Sequence, residues 1–362
     1  MKIISTGYSS TPEYTNPKEW LERISFYTGI LEELAKQHEV ISIERINYEG
    51  DYQQNGVQYH FINQKRKVDR FPLPMHHFIK NLKPDIVLVN GFIFPLQIIQ
   101  LRMILGRAVK IIVLHRAEKP FKGLKKYLQK IAGKCVNAYL FSSVDLGKEW
   151  IEKGIIKNKQ KIHEVMQASS SFFPMDKTIA RSILSVHGSL VFLWVGRLEA
   201  NKDPLTVLKA FIQFLNHHST SVLYMIYQSE ELIKEVKQLA KESKNIKLIG
   251  KVVHKELQYW YNSADFVISG SHYEGSGIAV CEAMSCGCIP VVTNIDSFRT
   301  MTGRGKCGLL YEPGNVNDLL AVLLKAKQLD IEKEKRNVLQ QFREELSFEA
   351  IKKKIEVVIG DL

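Results

Sequence analysis

Short, almost wholly apolar runs separated by amphipathic stretches are the feature that most restricts how this chain can fold. Runs such as DIVLVN (85–90) and KIIVL (110–114) carry no polar face, which suits parallel strands covered by helices on both sides. KIIST, EVISIE, VQYHFI and AYLFSS extend the series through the first half, with helical patterns such as PKEWLERISFYTGILEELAKQ and FPLQIIQLRMILG between them. The second half repeats the scheme with LVFLWVG, SVLYMIY, IKLIG, DFVISG and IPVVT. Strand–helix alternation of this kind predicts an α/β protein built on doubly wound parallel sheets. At 362 residues the chain is long for one core, so two domains are expected. The Ser- and Pro-bearing stretch ASSSFFPMDK (168–177) marks the break. It predicts one Rossmann-like domain over 1–168 and another over 175–345, with a last helix in 346–362 that the pattern assigns to neither.

Ligands of open α/β sheets sit outside the carboxyl ends of the strands, so the loops there carry the candidate chemistry. The densest is 273–284, YEGSGIAVCEAM, after DFVISG. Gly275 and Gly277 allow close approach of backbone to a ligand, with Ser276 between them. The helix opening at Ile278 points free N–H groups outward, which favours phosphate. Glu274 precedes that helix and Glu282 lies about 7 to 8 Å along it. Carboxylates repel phosphate and accept from vicinal hydroxyls. The order carboxylate, phosphate site, carboxylate therefore suits a polyol at each end of a diphosphate, as in a nucleotide sugar. The bland alternative is a Gly-containing turn with two exposed glutamates. The second loop, VGRLEANKDP (195–204), ends a strand at Gly196 and offers the planar fork of Arg197 and the point charge of Lys202. Its bland alternative is a surface set in which those cations pair with Glu199 and Asp203.

These two stretches resemble glycosyltransferase family 4, the retaining transferases of GT-B fold, also called glycosyl transferases group 1. The resemblance covers about residues 190 to 325, and the E-x7-E spacing of Glu274 and Glu282 followed by AMSCGCIPVVT is its most specific part. It implies that Arg197 and Lys202 bind the donor diphosphate, that Glu274 holds the donor sugar and that Glu282 holds the ribose. It implies donor contact at Gly196, Ser276, Gly277 and Ile278, and a base-lining loop at Lys251 and Val252. In the first half, His115 at the end of KIIVL matches the family's His near the reacting sugar. Gly7 stands where the family has a Gly-rich loop against the diphosphate, although TGYSSTPEYTN has one Gly and more bulk. Two loops depart from the family: Tyr227-Gln228-Ser229-Glu230 replaces a Gly-x-Gly-Pro turn, and Asn294–Phe298 replaces a Gly-Gly-x-x-Glu turn. The resemblance also implies that the last helix returns to the first domain.

The resulting expectation is a retaining transfer of a hexose from a nucleoside-diphosphate sugar to a hydroxyl of a glycan or lipid-linked acceptor, in surface polysaccharide assembly. No Asp pair of D-x-D type is placed for a metal-held diphosphate, so neither a metal nor another cofactor is expected. The rival is a binding or scaffold protein that keeps the fold without the activity. A phosphorylase ranks lower, since no lysine site for pyridoxal phosphate is evident.

The remaining features bear on location. MKIISTGYSS reads as a first strand, no run approaches the roughly 18 apolar residues of a bilayer span, and five cysteines form no framework. A cytoplasmic protein is expected. The net charge of +12 is concentrated in 102–134, where ten Lys or Arg face one Glu. That segment is either a solvated basic face or a site for anionic lipid, an acidic glycan or a phosphorylated acceptor. No nucleic-acid motif accompanies it. Within it Leu124, Leu128 and Ile131 recur at helical spacing among lysines, which admits contact with the inner face of the cell membrane. Tyr259, Trp260 and Tyr261 are expected to pack a helix, and the pairs His76-His77 and His217-His218 to lie on the surface.

Overall fold

The computed structural model describes residues 1–63 and 70–362. They divide into two compact units, Met1–Ser169 with Phe348–Leu362, and Ser170–Ser347.

The first unit is an eight-stranded sheet in the order β3-β4-β2-β1-β5-β6-β7-β8. Its strands are β1 (Lys2–Gly7), β2 (Glu39–Ile46), β3 (Gly50–Gln54), β4 (Val57–Asn63), β5 (Ile86–Asn90), β6 (Lys110–Leu114), β7 (Ala138–Phe141) and β8 (Ile162–Glu164). All pairs are parallel except β3 with β4. That hairpin closes through Asn55-Gly56, both at positive φ, the two-residue turn that matches strand twist. Three strands lie outside the runs expected from the sequence: β3, and β8 and β14 (Leu309–Tyr311), the last two each three residues long. The helices are α1 (Pro17–Arg23), α2 (Ser25–Ala35), α3 (Leu73–Asn81), α4 (Pro95–Leu105), α5 (Lys125–Gly133) and α6 (Lys148–Glu152). The single helical stretch expected from Pro17 onward is broken at Ile24, which caps α1 and opens α2. α3 packs on α4 and α4 on α5, while α2 receives the C-terminal helix.

The second unit holds α7 (Lys177–Leu184), α8 (Pro204–Leu215), α9 (Ile233–Ala240), α10 (Leu257–Ser263), α11 (Ile278–Ser285), α12 (Asp296–Met301), α13 (Val316–Ala326) and α14 (Ile331–Gln341). They surround a six-stranded parallel sheet ordered β11-β10-β9-β12-β13-β14. Its other strands are β9 (Val191–Gly196), β10 (Val222–Tyr227), β11 (Ile246–Gly250), β12 (Phe266–Ser269) and β13 (Ile289–Thr293). Asp265, whose side chain is 2% exposed, ties this sheet to α7. It accepts from the Val191 N–H at 2.8 Å and from Arg181 at 3.0 Å, and it pairs with Lys177. The expected fold class, two doubly wound α/β units, holds.

α15 (Phe348–Gly360) belongs to the first unit. The Phe348 ring lies where a side chain at Gly29 of α2 would stand, Lys352 donates to Gln37 at 3.0 Å, and Glu356 meets His38 at 3.1 Å.

Both sheets reverse direction at an internal strand pair: β1/β5 in the first and β9/β12 in the second. Register then decides what gathers at each switch. Gly7 stands beside Asn90, and Asn90 beside Leu114, so the residues after β6 begin level with the end of β1, one strand removed across β5. In the second sheet Phe266 aligns with Phe192, which brings the loop after Gly196 against the loop after Ser269.

Candidate functional site

In the second unit the two loops singled out from the sequence meet. Lys202 forms an ion pair with Glu274, and Ser271 donates to the same Glu274 oxygen at 2.8 Å. Asn201 Nδ2 donates to the Tyr273 carbonyl at 3.0 Å, and the His272 N–H donates to the Asn201 carbonyl at 2.9 Å. Lys202 therefore pairs with Glu274, 72 positions away, and not with Asp203. Asp203 instead sits at positive φ and caps α8, accepting from the Thr206 N–H at 3.1 Å. Arg197 is turned outward, its side chain 57% exposed and 3.0 Å from Glu199, so the bland pairing holds for this residue.

A hollow opens beside this pair, lined by Lys202, Ser271, Glu274, Gly277, Ile278 and Phe298 among others. Gly277 is the N-cap of α11 at φ 51°, and no side chain accepts from the first turn there. Val280 and Cys281 donate back to the Gly277 carbonyl, so the N–H groups of Ile278 and Ala279, with the roughly half positive charge of a helix start, are those left for an anion at the rim of the hollow. Ser276 is half-buried on the same turn. Beneath it the Phe298 ring of α12 fills the space that a side chain at Gly277 would take. The departure at Asn294–Phe298 thus supplies the floor of the turn, while Asn294 itself is held by Glu312 and Arg299.

Glu282 lies one turn and more into α11 and is buried at 5% exposure. Tyr261 of α10 donates to its Oε2 at 3.0 Å, and His254 Nε2 stands 2.6 Å from its Oε1. Burial, with Glu282 beside it, pushes the Tyr261 hydroxyl well above its ordinary range, so Tyr261 stays a donor. Tyr261 does pack its helix as expected, but it also orients Glu282, a role the sequence did not suggest. His254, not among the residues expected from the sequence, follows closely on Lys251 and Val252; of these Lys251 is exposed and Val252 is half-buried against the core. Cys281, Cys286 and Cys288 are buried free thiols; burial pushes Cys286 up to about 12 and the other two higher still.

The first unit holds the remaining candidates. His115 follows β6, is 3% exposed, and stacks on Phe141 with Trp150 edge-on. Its Nε2 donates to the Glu118 carbonyl at 2.8 Å, and its Nδ1 has no partner among the described residues. Burial lowers its pKa, with Glu118 opposing. The Glu118 carboxylate accepts from the Phe92 N–H at 3.0 Å and the Arg116 N–H at 2.6 Å, which bridges the loops after β5 and β6. It does so across Ala117, held at φ 65°. Glu118 thus positions His115 from the backbone side, which spacing alone could not reveal. Gly7 closes β1 at an ordinary φ, and the next residue, Tyr8, is fully buried. The Tyr8 hydroxyl lies 3.0 Å from His76 Nε2. Tyr8 packs in the core while residues 9–16 are exposed or half-buried, and His76, expected on the surface, is fully buried with Tyr8 as a partner.

Doubly wound parallel sheets with polar groups collected at the switch points define a Rossmann-like protein. Within that class, residues 175–344 match the family model "Glycosyl transferases group 1". The second unit belongs to this family. Among curated proteins the chain is 28% identical to the O-antigen chain mannosyltransferase B of Escherichia coli over 144 residues. That match covers 38% of this chain and 37% of the relative. It is also 28% identical over 172 residues to a D-inositol 3-phosphate glycosyltransferase of Frankia alni, covering 43% and 42%. The matches thus span less than half the length of these relatives. In fold the likeness runs the length of the chain. A sucrose-phosphate synthase from Thermosynechococcus elongatus superposes with a TM-score of 0.72 at 13% identity, over 100% of this chain and 99% of that one. Anabaena HepE, solved in complex with UDP and glucose, gives 0.70 at 15%, over 100% of both chains. The chain has the GT-B fold.

Proposed function

We propose that this protein is a retaining glycosyltransferase that moves a hexose from a nucleoside-diphosphate sugar to a hydroxyl of a glycan or lipid-linked acceptor. It would act in surface polysaccharide assembly, in the cytoplasm at the inner face of the cell membrane. The observation that carries the reading is the Lys202–Glu274 pair beside the open first turn of α11, inside the segment that matches the family. The mannosyltransferase relative and the UDP complex of HepE support a nucleotide-sugar donor.

In this reading the donor diphosphate takes Lys202 from Glu274 and lies against the first turn of α11. Arg197, exposed and lightly tied, swings onto the phosphates. Glu274, released, accepts from the hexose hydroxyls, and Glu282, already oriented by Tyr261, accepts from the ribose. The loop of Lys251 and Val252 borders the base, with His254 beside the ribose carboxylate. By the family resemblance alone, His115 and Gly7 of the first unit are the residues we assign to the reacting sugar and to the phosphates. The acceptor oxygen forms its bond to the anomeric carbon on the face from which the diphosphate oxygen departs, and the acceptor proton passes to that diphosphate. Lys202, Arg197 and the helix end stabilise the growing negative charge, so positioning and electrostatics supply the rate. No metal or other cofactor takes part.

A thermal-shift panel with UDP, GDP, ADP and CMP, with and without magnesium, tests the donor site. A diphosphate at about 100 times its dissociation constant adds about 2.7 kcal/mol and raises Tm clearly. With that donor sugar, Glu274→Ala and Arg197→Ala should each lower kcat/KM by about 10²-fold or more. Full activity in both variants refutes the assignment. Nucleotide binding without turnover across many acceptors would favour the scaffold reading, for which the altered loops at Tyr227 and Asn294 speak.

A further inference from the structure

Helix α5 and its approach carry six lysines and no acidic residue from Lys119 to Lys134. The sequence shows its amphipathic spacing but not which way the apolar side turns. The inner face is taken by Gln129 and Ala132, both fully buried. Gln129 accepts from the Phe121 N–H at 2.7 Å and donates to the Phe92 carbonyl at 3.1 Å, anchoring the helix to the loop after β5. Leu124, Tyr127 and Ile131 are left outside, at 86%, 59% and 49% exposure. At 100° per residue the three fall within about 60° of one another, one continuous stripe along the helix. Leu128 is half-buried beside them, and on the neighbouring α4 Met103 is 78% exposed.

Single exposed apolar side chains are ordinary, but a stripe of three large ones edged by lysines is not. Lys126 and Lys130 hold their ammonium groups 5.7 and 5.8 Å from the Tyr127 ring centroid. Both ammonium groups thus stand over the aromatic ring, and long lysine stems let such charges reach headgroups above buried apolar tips. Nucleic acid or a free phosphate would meet the charges and leave Leu124 and Ile131 without a complement. An anionic bilayer satisfies both, since its headgroups take the lysines and its acyl boundary takes the stripe.

We propose that α5 is a membrane-docking helix, lying in the plane of an anionic lipid surface with Leu124, Tyr127 and Ile131 inserted and Lys126, Lys130 and Lys134 at the headgroups. The proposal deepens the membrane-side placement given above and rests on it. Lipid binding is measured with no donor or acceptor present, so failure of either docking or glycosyl transfer leaves the other standing.

The test is co-sedimentation of the full chain with phosphatidylcholine vesicles with and without about 30% phosphatidylglycerol. The chain should bind the anionic vesicles, bind neutral ones far more weakly, and lose affinity as salt is raised. Lys126→Ser/Lys130→Ser/Lys134→Ser should weaken binding about 100-fold, roughly fivefold per lysine. Leu124→Ser/Tyr127→Ser/Ile131→Ser should weaken it tenfold or more at unchanged charge, on the order expected for an inserted apolar stripe. Leu124→Ser alone, at the most exposed of these positions, should weaken binding in the same direction at unchanged charge and with an unaltered Tm. Wild-type binding that the apolar variants leave intact overturns the proposal. So does failure to bind anionic vesicles, and binding of a soluble polyanion such as heparin alone would reassign the lysines to an acidic polymer.

Discussion

Replacing Gly277 by Ala tests how far the open first turn of α11 depends on one missing side chain. Gly277 sits at φ 51°, and a Cβ there would stand 2.5 Å from Cε1 of Phe298 and 3.3 Å from Sδ of Met301. Two costs follow. Left-handed backbone costs an L-residue roughly 1–2 kcal/mol, and forcing extra volume against a packed ring costs about 1–3 kcal/mol more. Phe298 is fully buried and cannot turn away freely. A total near 3 kcal/mol lowers the Tm of a unit of this size by about 6–12 °C. Gly250→Ala is the control for strain alone: φ is 83° there, but no atom lies within 4 Å of the added Cβ. Its loss should stop at about 1–2 kcal/mol. Phe298→Leu in the Gly277→Ala background should recover part of the clash, so the two changes should not add. The assay is thermal unfolding read beside nucleotide affinity, which should fall with the displaced helix start. Equal losses at Gly277 and Gly250, or strict additivity with Phe298→Leu, would falsify the packing argument.

Asp265→Ala strips a buried carboxylate from Arg181, Lys177 and the Val191 N–H, and should cost about 3–5 kcal/mol, read as an earlier urea midpoint. Burial holds the His115 pKa below the ordinary value of about 6.5, so its neutral ring contributes stability that is complete above that value. That contribution is lost as the pH falls through the lower folded value, and His115→Asn should flatten this acid arm of the stability profile. Nitrogen NMR should find the proton on Nε2, since Nε2 donates to the Glu118 carbonyl; a proton on Nδ1 refutes the arrangement. Glu118→Gln keeps one acceptor for the two N–H groups it bridges, and should lower kcat more than donor affinity, because it loosens the loop that carries His115.

Much of the molecule is written in local pattern. A buried parallel strand must be apolar on both faces, so runs such as DIVLVN and VFLWVG announce their place without a partner in view. Glu274, Gly277 and Lys202 likewise stand at strand ends, where α/β sheets collect ligands. What escaped was short, edge-bound or paired at a distance. β8 and β14 have three residues each, too few for a period, and β3 alternates weakly at the sheet edge.

The sequence by itself determined the α/β class, the doubly wound halves and the loops that carry charge, because these depend on periodicity and on turn chemistry within a few residues. Only the tertiary structure decided which charges meet. Lys202 takes Glu274 in place of Asp203, Arg197 takes Glu199, and Glu282 is held by Tyr261 and His254. It also decided that His76 is interior and that Leu124, Tyr127 and Ile131 face out. A helical period tells that two faces differ, but the neighbours brought by the crossover of the chain choose which face turns inward. On α5 that choice fell to Gln129, whose amide bonds two backbone groups of the loops beside it.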